Sequence, residues 1–278
     1  MNVKAAQLIR RLSKFTLQGT NTYLVGSGHE RILIDTGGGD PRWAELIAAE
    51  IESMKVSIRC VLLTHWHGDH TGGVPDLICL YPNLKDRVYK NTPDTGQQPI
   101  VDGQLFSVDG ATIRAVYTPG HAEDHMCFVL EEENALFTGD NILGQGTSVV
   151  EDLRDFMNSL VTMQAQGCQV GHSAHGTTLI DLPGKIKREL AVKLGREREV
   201  LKALARLRVT KGNVTVDELV SEMYGRNIDG GMVILTLMPF IEEVLKKLAG
   251  DKKVGFEKRC GAKKWFALSA ATAETPFS

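Results

Sequence analysis

Six residues constrain this chain more than any others: His65-Trp66-His67-Gly68-Asp69-His70 sets three imidazoles and a carboxylate in one short segment. It follows Arg59-Cys60-Val61-Leu62-Leu63, an apolar run that reads as a strand, and precedes a helical pattern at Val74–Leu80. Four ligand-type side chains beside a buried strand carry a desolvation cost that must be offset. Neutral imidazole and carboxylate are good ligands for Zn²⁺, and also for Mn²⁺ or Fe, so bound cations are the offset these residue types suggest. In an extended loop His65 and His67 project to one side, while Asp69 and His70, where the chain turns, face a neighbouring position. Two metal positions are implied, and each still lacks ligands.

Other strand ends offer the missing groups: Pro119-Gly120-His121, Thr138-Gly139-Asp140 and Ala174-His175-Gly176. Taken alone Asp140 is a turn aspartate after glycine; in company with the other segments it reads as a carboxylate able to bridge two ions. Seven of the eight histidines fall between His65 and His175. Charge follows the same division: residues 1–182 carry 13 Lys+Arg against 22 Asp+Glu, and residues 183–278 carry 19 against 12. The net charge of −2 therefore conceals an acidic half that holds the chemistry and a basic remainder.

Further strands are predicted at Thr22–Val25, Arg31–Ile34, Ala111–Val116, Met126–Leu130 and Ala135–Phe137, with a helix after Pro41 carrying Trp43, Ile47, Ile51 and Met54. This mixture predicts an α/β (α+β) chain of layered sheets flanked by helices. After Pro183-Gly184 the texture becomes helical: a long amphipathic segment at Lys185–Arg208, then Val216–Met223 and Val233–Leu248, closed by strands at Lys253–Glu257 and Trp265–Ala267. The expected organisation is a catalytic domain over residues 1–182, a winged-helix-like domain over 183–268 and a loose tail over 269–278. No run is long and apolar enough to span a membrane. Five scattered cysteines without a CxxC pair, and no secretory apolar region, lead to an expected cytoplasmic location.

The ordered series Asp35-Thr36-Gly37, His65-x-His67-x-Asp69-His70, His121, Asp140 and His175 resembles the metallo-β-lactamase superfamily. The resemblance implies an αββα sandwich with a dinuclear centre. In that pattern His65, His67 and His121 hold one metal, Asp69, His70 and His175 hold the other, Asp140 bridges them and Asp35 plays a supporting structural part. Phe15-Thr16-Leu17-Gln18-Gly19-Thr20-Asn21-Thr22-Tyr23-Leu24-Val25-Gly26, Phe137–Gly144 and Lys263-Lys264-Trp265 are similar to the β-lactamase-like-protein-2 group. That group contains animal-type single-stranded-RNA endonucleases and fungal thioesterases that release polyketides such as atrochrysone carboxylic acid from an acyl carrier protein. Tyr89–Asp94 and Thr147–Asp152 resemble the fungal branch.

Two departures stand out. Family members have additional residues before the Phe15 motif, so a truncated first edge strand or a misplaced start is expected. The last motif reads His172-Ser173-Ala174-His175-Gly176, with His172 where the family has an aromatic; His175 is read as the ligand and His172 as a loop residue. His125 is read as a hydrogen-bonded structural residue close to His121, and His29 as an exposed turn residue.

The resemblance implies a hydrolase with two divalent ions, zinc first, whose partner is the acyl carrier protein domain of a polyketide synthase. Coordination lowers the pKa of water from 15.7 to roughly 7, with Asp69 expected to orient that water as the catalytic residue. A thiol of pKa ~8.5 leaves without a dedicated acid. RNA is the partner under the endonuclease reading, since two metals also suit phosphodiester cleavage. A non-catalytic metal-binding scaffold is a third reading, set against the presence of all seven ligand types.

Overall fold

Alternation along a few short strands feeds two cores at once. In the computed structural model, which describes residues 6–9, 19–225, 237–259 and 261–268, strands β1 (Ala6–Ile9), β2 (Thr22–Val25), β3 (Glu30–Ile34), β4 (Ser57–Leu62), β5 (Val88–Lys90) and β6 (Gln98–Pro99) lie in that order in one sheet. Tyr23, Val25, Ile32, Ile34, Cys60 and Leu62 point to one face and Leu24, Leu33 and Val61 to the other, as the two-residue period of a strand requires. The first face meets a second sheet of order β11-β10-β9-β8-β7, built from β7 (Leu105–Val108), β8 (Ala111–Tyr117), β9 (Met126–Leu130), β10 (Ala135–Gly139) and β11 (Val170–Ser173). Ile113, Ala115, Phe128, Leu130 and Phe137 supply that side of the shared core.

Helices cover the outer faces. Helix α1 (Pro41–Met54) connects the parallel strands β3 and β4, with Asp40 capping its first turn, and lays Trp43, Ile47 and Ile51 against Leu33 and Val61. The short turn α2 (Gly68–Thr71) and α3 (Val74–Leu80) follow β4, and α3 adds Val74 and Leu77 to the same cluster. On the second sheet, α4 (Leu153–Ala165) buries Leu153, Phe156, Met157, Leu160 and Met163 at helical spacing. The start of α5 (Leu182–Thr210) brings Leu182 over Gly171 of β11. This is the expected αββα arrangement.

Helix α5 begins at Leu182, three residues before the expected Lys185 start. Asp181 accepts a hydrogen bond from the Gly184 N–H, and Pro183 occupies the first turn of α5, where its missing N–H costs nothing. The chain divides into two compact units at Arg188/Glu189, within α5. In the second unit α5 buries Val200, Ala203, Leu204 and Leu207. A capping box of Thr215 and Glu218 opens α6 (Val216–Tyr224), α7 (Met238–Gly250) buries Ile241, Val244, Leu245 and Leu248, and β12 (Val254–Arg259) pairs antiparallel with β13 (Ala262–Ala267). Residues 233–236 of the expected Val233–Leu248 helix, Phe15–Gln18 and the 269–278 tail lie outside the described residues.

His172 needs a correction. It lies on β11 rather than in a loop, with its ring 5.0 Å from that of Phe137 and 5.6 Å from that of Tyr23. Half-buried, it packs against these two rings, and burial pushes its pKa down. No strand was expected here because Gly, His and Ser are poor strand formers; parallel pairing with β10 imposes one.

Candidate metal centre

Every expected ligand follows the carboxyl end of a strand. The turn after β4 carries His65, His67, Asp69 and His70, that after β8 carries His121, and the parallel strands β10 and β11 end at Asp140 and His175. Convergence of strand ends at one edge of a sandwich is the ordinary way such a fold builds a crevice. Glycine makes two of these turns possible. At Gly120 (φ +123°) a Cβ would lie 2.2 Å from the backbone nitrogen of Phe156, and at Gly139 (φ +50°) 2.4 Å from Nε2 of His125.

All seven side chains meet. Nε2 of His65, Nδ1 of His67 and Nε2 of His121 stand 2.8, 3.0 and 3.2 Å from one another. Beside them Nε2 of His175 lies 3.3 Å from Oδ2 of Asp69, and Nε2 of His70 lies 3.6 Å from the same oxygen. Asp140 stands between the sets: Oδ1 is 3.3 Å from His175 and 3.5 Å from His70, and Oδ2 is 3.6 Å from His121. His125 and His172 lie outside these ligand groups.

The donor set fits divalent ions on two observations. Tetrahedral nitrogen ligands at 2.0–2.1 Å from zinc lie ~3.3 Å apart, close to the spacing of the three imidazoles. In addition, Nε2 of His70 and Oδ1 of Asp140 are buried and have no hydrogen-bond partner among the described residues, an arrangement a cation between them would satisfy.

Electrostatics separates the two sets. Burial pushes His65 well below the ordinary imidazole pKa and lowers His121, so both present neutral nitrogens. At His70 burial opposes charge, but the carboxylates of Asp140 and Asp35 outweigh it and hold the pKa well above normal. His175 is likewise raised to about 9 against burial, through Asp140 and Asp69. Asp69 is held down at about 2, and Asp140 well below the usual carboxylate range, because these imidazoles outweigh the burial cost. A dication offers the same carboxylates the positive charge that those protons supply.

Outer partners aim several of these side chains. Asp35 accepts from the Thr64 N–H at 2.8 Å and lies 2.8 Å from Nδ1 of His70, directing Nε2 of that ring to Asp140. Nδ1 of His121 donates to the Val149 carbonyl at 2.8 Å, Nδ1 of His175 to the Gly19 carbonyl at 3.2 Å, and Thr20 Oγ1 donates to Asp69 at 3.1 Å. Asn21 ties the same segment to the β11 turn through the Ser173 and Gly176 carbonyls.

Asp124 and His125 brace two of the ligand turns, a role the sequence reading gave only in part to His125 and not at all to Asp124. Asp124 accepts from the backbone N–H of Trp66, between two ligands, and lies 3.7 Å from the buried Lys90 ammonium. Nε2 of His125 accepts the Asp140 N–H at 3.1 Å, which leaves Nδ1 to donate to Thr118 Oγ1 at 3.0 Å. Replacing His125 by Ala orphans that N–H at the shared carboxylate; divalent-ion affinity is expected to fall about 10–100-fold, read by metal titration with a competing chelator. Unchanged affinity would show that the Asp140 turn holds itself.

Comparison with known proteins agrees with this geometry. The family model described as the metallo-beta-lactamase superfamily matches residues 15–175. A Claviceps purpurea protein called atrochrysone carboxyl ACP thioesterase is 57% identical over 256 residues, covering 92% of this chain and 83% of its own length. The atrochrysone carboxyl ACP thioesterase of a Cryptosporiopsis species is 56% identical over 267 residues, covering 93% and 83%. The crystal structure of a beta-lactamase domain protein from Burkholderia ambifaria superposes with a TM-score of 0.74 at 16% identity, over 93% of this chain and 91% of that one, and shows the shared fold. With the matched segment spanning the strands and turns that carry all seven side chains, this chain belongs to the metallo-beta-lactamase superfamily.

Proposed function

We propose that the protein is a zinc-dependent thioesterase that releases a polyketide acid of the atrochrysone carboxylic acid type from the acyl carrier protein of a non-reducing polyketide synthase. The observation that carries this reading is the convergence of seven metal-ligand side chains in a chain more than half identical to proteins called ACP thioesterases. His65, His67 and His121 would hold one ion and Asp69, His70 and His175 the other, with Asp140 shared. Three imidazoles at tetrahedral spacing favour zinc; the carboxylates also suit Mn²⁺ or Fe. When bound, the ions supply Lewis acidity at the carbonyl oxygen and make water a nucleophile at neutral pH.

The chain's own residues set the rest. Asp69, anchored by Thr20 and ionised down to about pH 2, accepts a hydrogen bond from the attacking water and fixes its direction. A thioester does not require a dedicated acid, since a thiol of pKa ~8.5 departs as thiolate. The Val149 and Gly19 carbonyls keep His121 and His175 in the tautomer whose Nε2 faces the centre.

The test presents the purified protein with an acyl carrier protein thioester and with single-stranded RNA. Release of free acid from the thioester, with the RNA left intact, is the expected result. RNA cleavage at a comparable rate would replace this reading with the endonuclease one.

A further inference from the structure

We infer that the β12–β13 hairpin is the surface on which an acidic carrier domain docks, an inference that rests on the thioesterase reading for the identity of its partner. The antiparallel register sets Phe256 opposite Trp265 and Lys258 opposite Lys263, and alternation puts these four side chains on one face. Two lysines directly opposite repel each other. The other face neutralises itself: Glu257 stands across from Lys264 and accepts from Asn213, and Lys264 reaches Glu218 at 3.5 Å. No carboxylate among the described residues lies within ion-pair distance of Lys258, Arg259 or Lys263. Residues 252–268 contain six Lys+Arg against Glu257 alone. The hairpin thus maintains an uncompensated cationic strip, with Phe256 about half exposed within it.

Its aromatic groups favour an acidic protein over single-stranded RNA. RNA binding of this kind uses open rings on which bases stack. Trp265 is buried, and one side of the Phe256 ring is occupied by the Lys263 ammonium, 4.8 Å from its centroid. An acidic helix needs only spaced cations and an apolar contact, which Lys258, Lys263 and Phe256 provide. Such a contact is made with the carrier domain and not with the acyl group, so it favours the carrier-bound thioester over a free one.

The test compares wild type with the Lys258→Glu, Lys263→Glu double variant on two substrates bearing the same acyl group: the carrier-bound thioester and a free pantetheine thioester. The ratio of the two kcat/KM values is expected to fall on the order of tenfold in the variant, and the effect in wild type to weaken with salt. Hydrolysis of the free thioester reports that the variant is folded, and a Lys258→Arg, Lys263→Arg variant is expected to keep the wild-type ratio. An unchanged ratio in the charge-reversed variant overturns the docking surface. Direct titration with the carrier protein, followed by fluorescence anisotropy, separates the two ideas: if wild type cleaves neither thioester the catalytic reading fails, while carrier affinity unaffected by charge reversal, or lost affinity for labelled single-stranded RNA instead, overturns the surface.

Discussion

Asp140→Ala is expected to reduce turnover about 10³-fold or more and to leave at most one tightly bound ion per chain. The reason lies in its two oxygens. Oδ1 faces His70 and His175 while Oδ2 faces His121, so one truncation removes a donor from both ligand sets. The backbone is expected to survive, because the Asp140 N–H is held by His125 and Gly139 forms the turn. Ion content by mass spectrometry and thioester turnover check the prediction together; two ions and wild-type turnover in the variant would show that Asp140 bridges nothing.

The cluster of seven side chains was legible in the sequence because imidazoles and carboxylates at strand ends are rare and locally clustered. His65, His67, Asp69 and His70 share one turn, and His121, Asp140 and His175 each follow a glycine-marked or apolar strand end. The bracing groups were not legible. Thr20, Asp124 and the Val149 carbonyl reach the centre only through tertiary folding, across separations of 49 residues for Thr20 and Asp69, 58 for Trp66 and Asp124, and 28 for His121 and Val149. The pairing of Asp124 with His125 beside His121 was the signal available for one of them.

Among the elements, α4 could have been read, since Leu153, Phe156, Met157, Leu160 and Met163 follow a 3.6-residue period behind an Asp152 cap. Strands β5 and β7 are not distinguishable from loops in the sequence: β5 has three residues, and the short edge strand β7 is stabilised by its partner β8 rather than by its own composition. At α5 the helix begins at Leu182, three residues before the expected Lys185 start, and takes Pro183 into its first turn. The residue that breaks a helix interior is also well suited to a first turn, and only the Asp181 cap distinguishes the two cases.

The central claim is that divalent ions held by the seven side chains are required for thioester hydrolysis. The measurement that tests it most directly is the ion content of the purified protein alongside its hydrolysis of a carrier-bound thioester, before chelation, after chelation and after zinc is restored. Two ions per chain, a loss of about 10³-fold or more on chelation, and recovery with zinc are the expected results. Undiminished hydrolysis by protein shown to contain no ion would contradict the account.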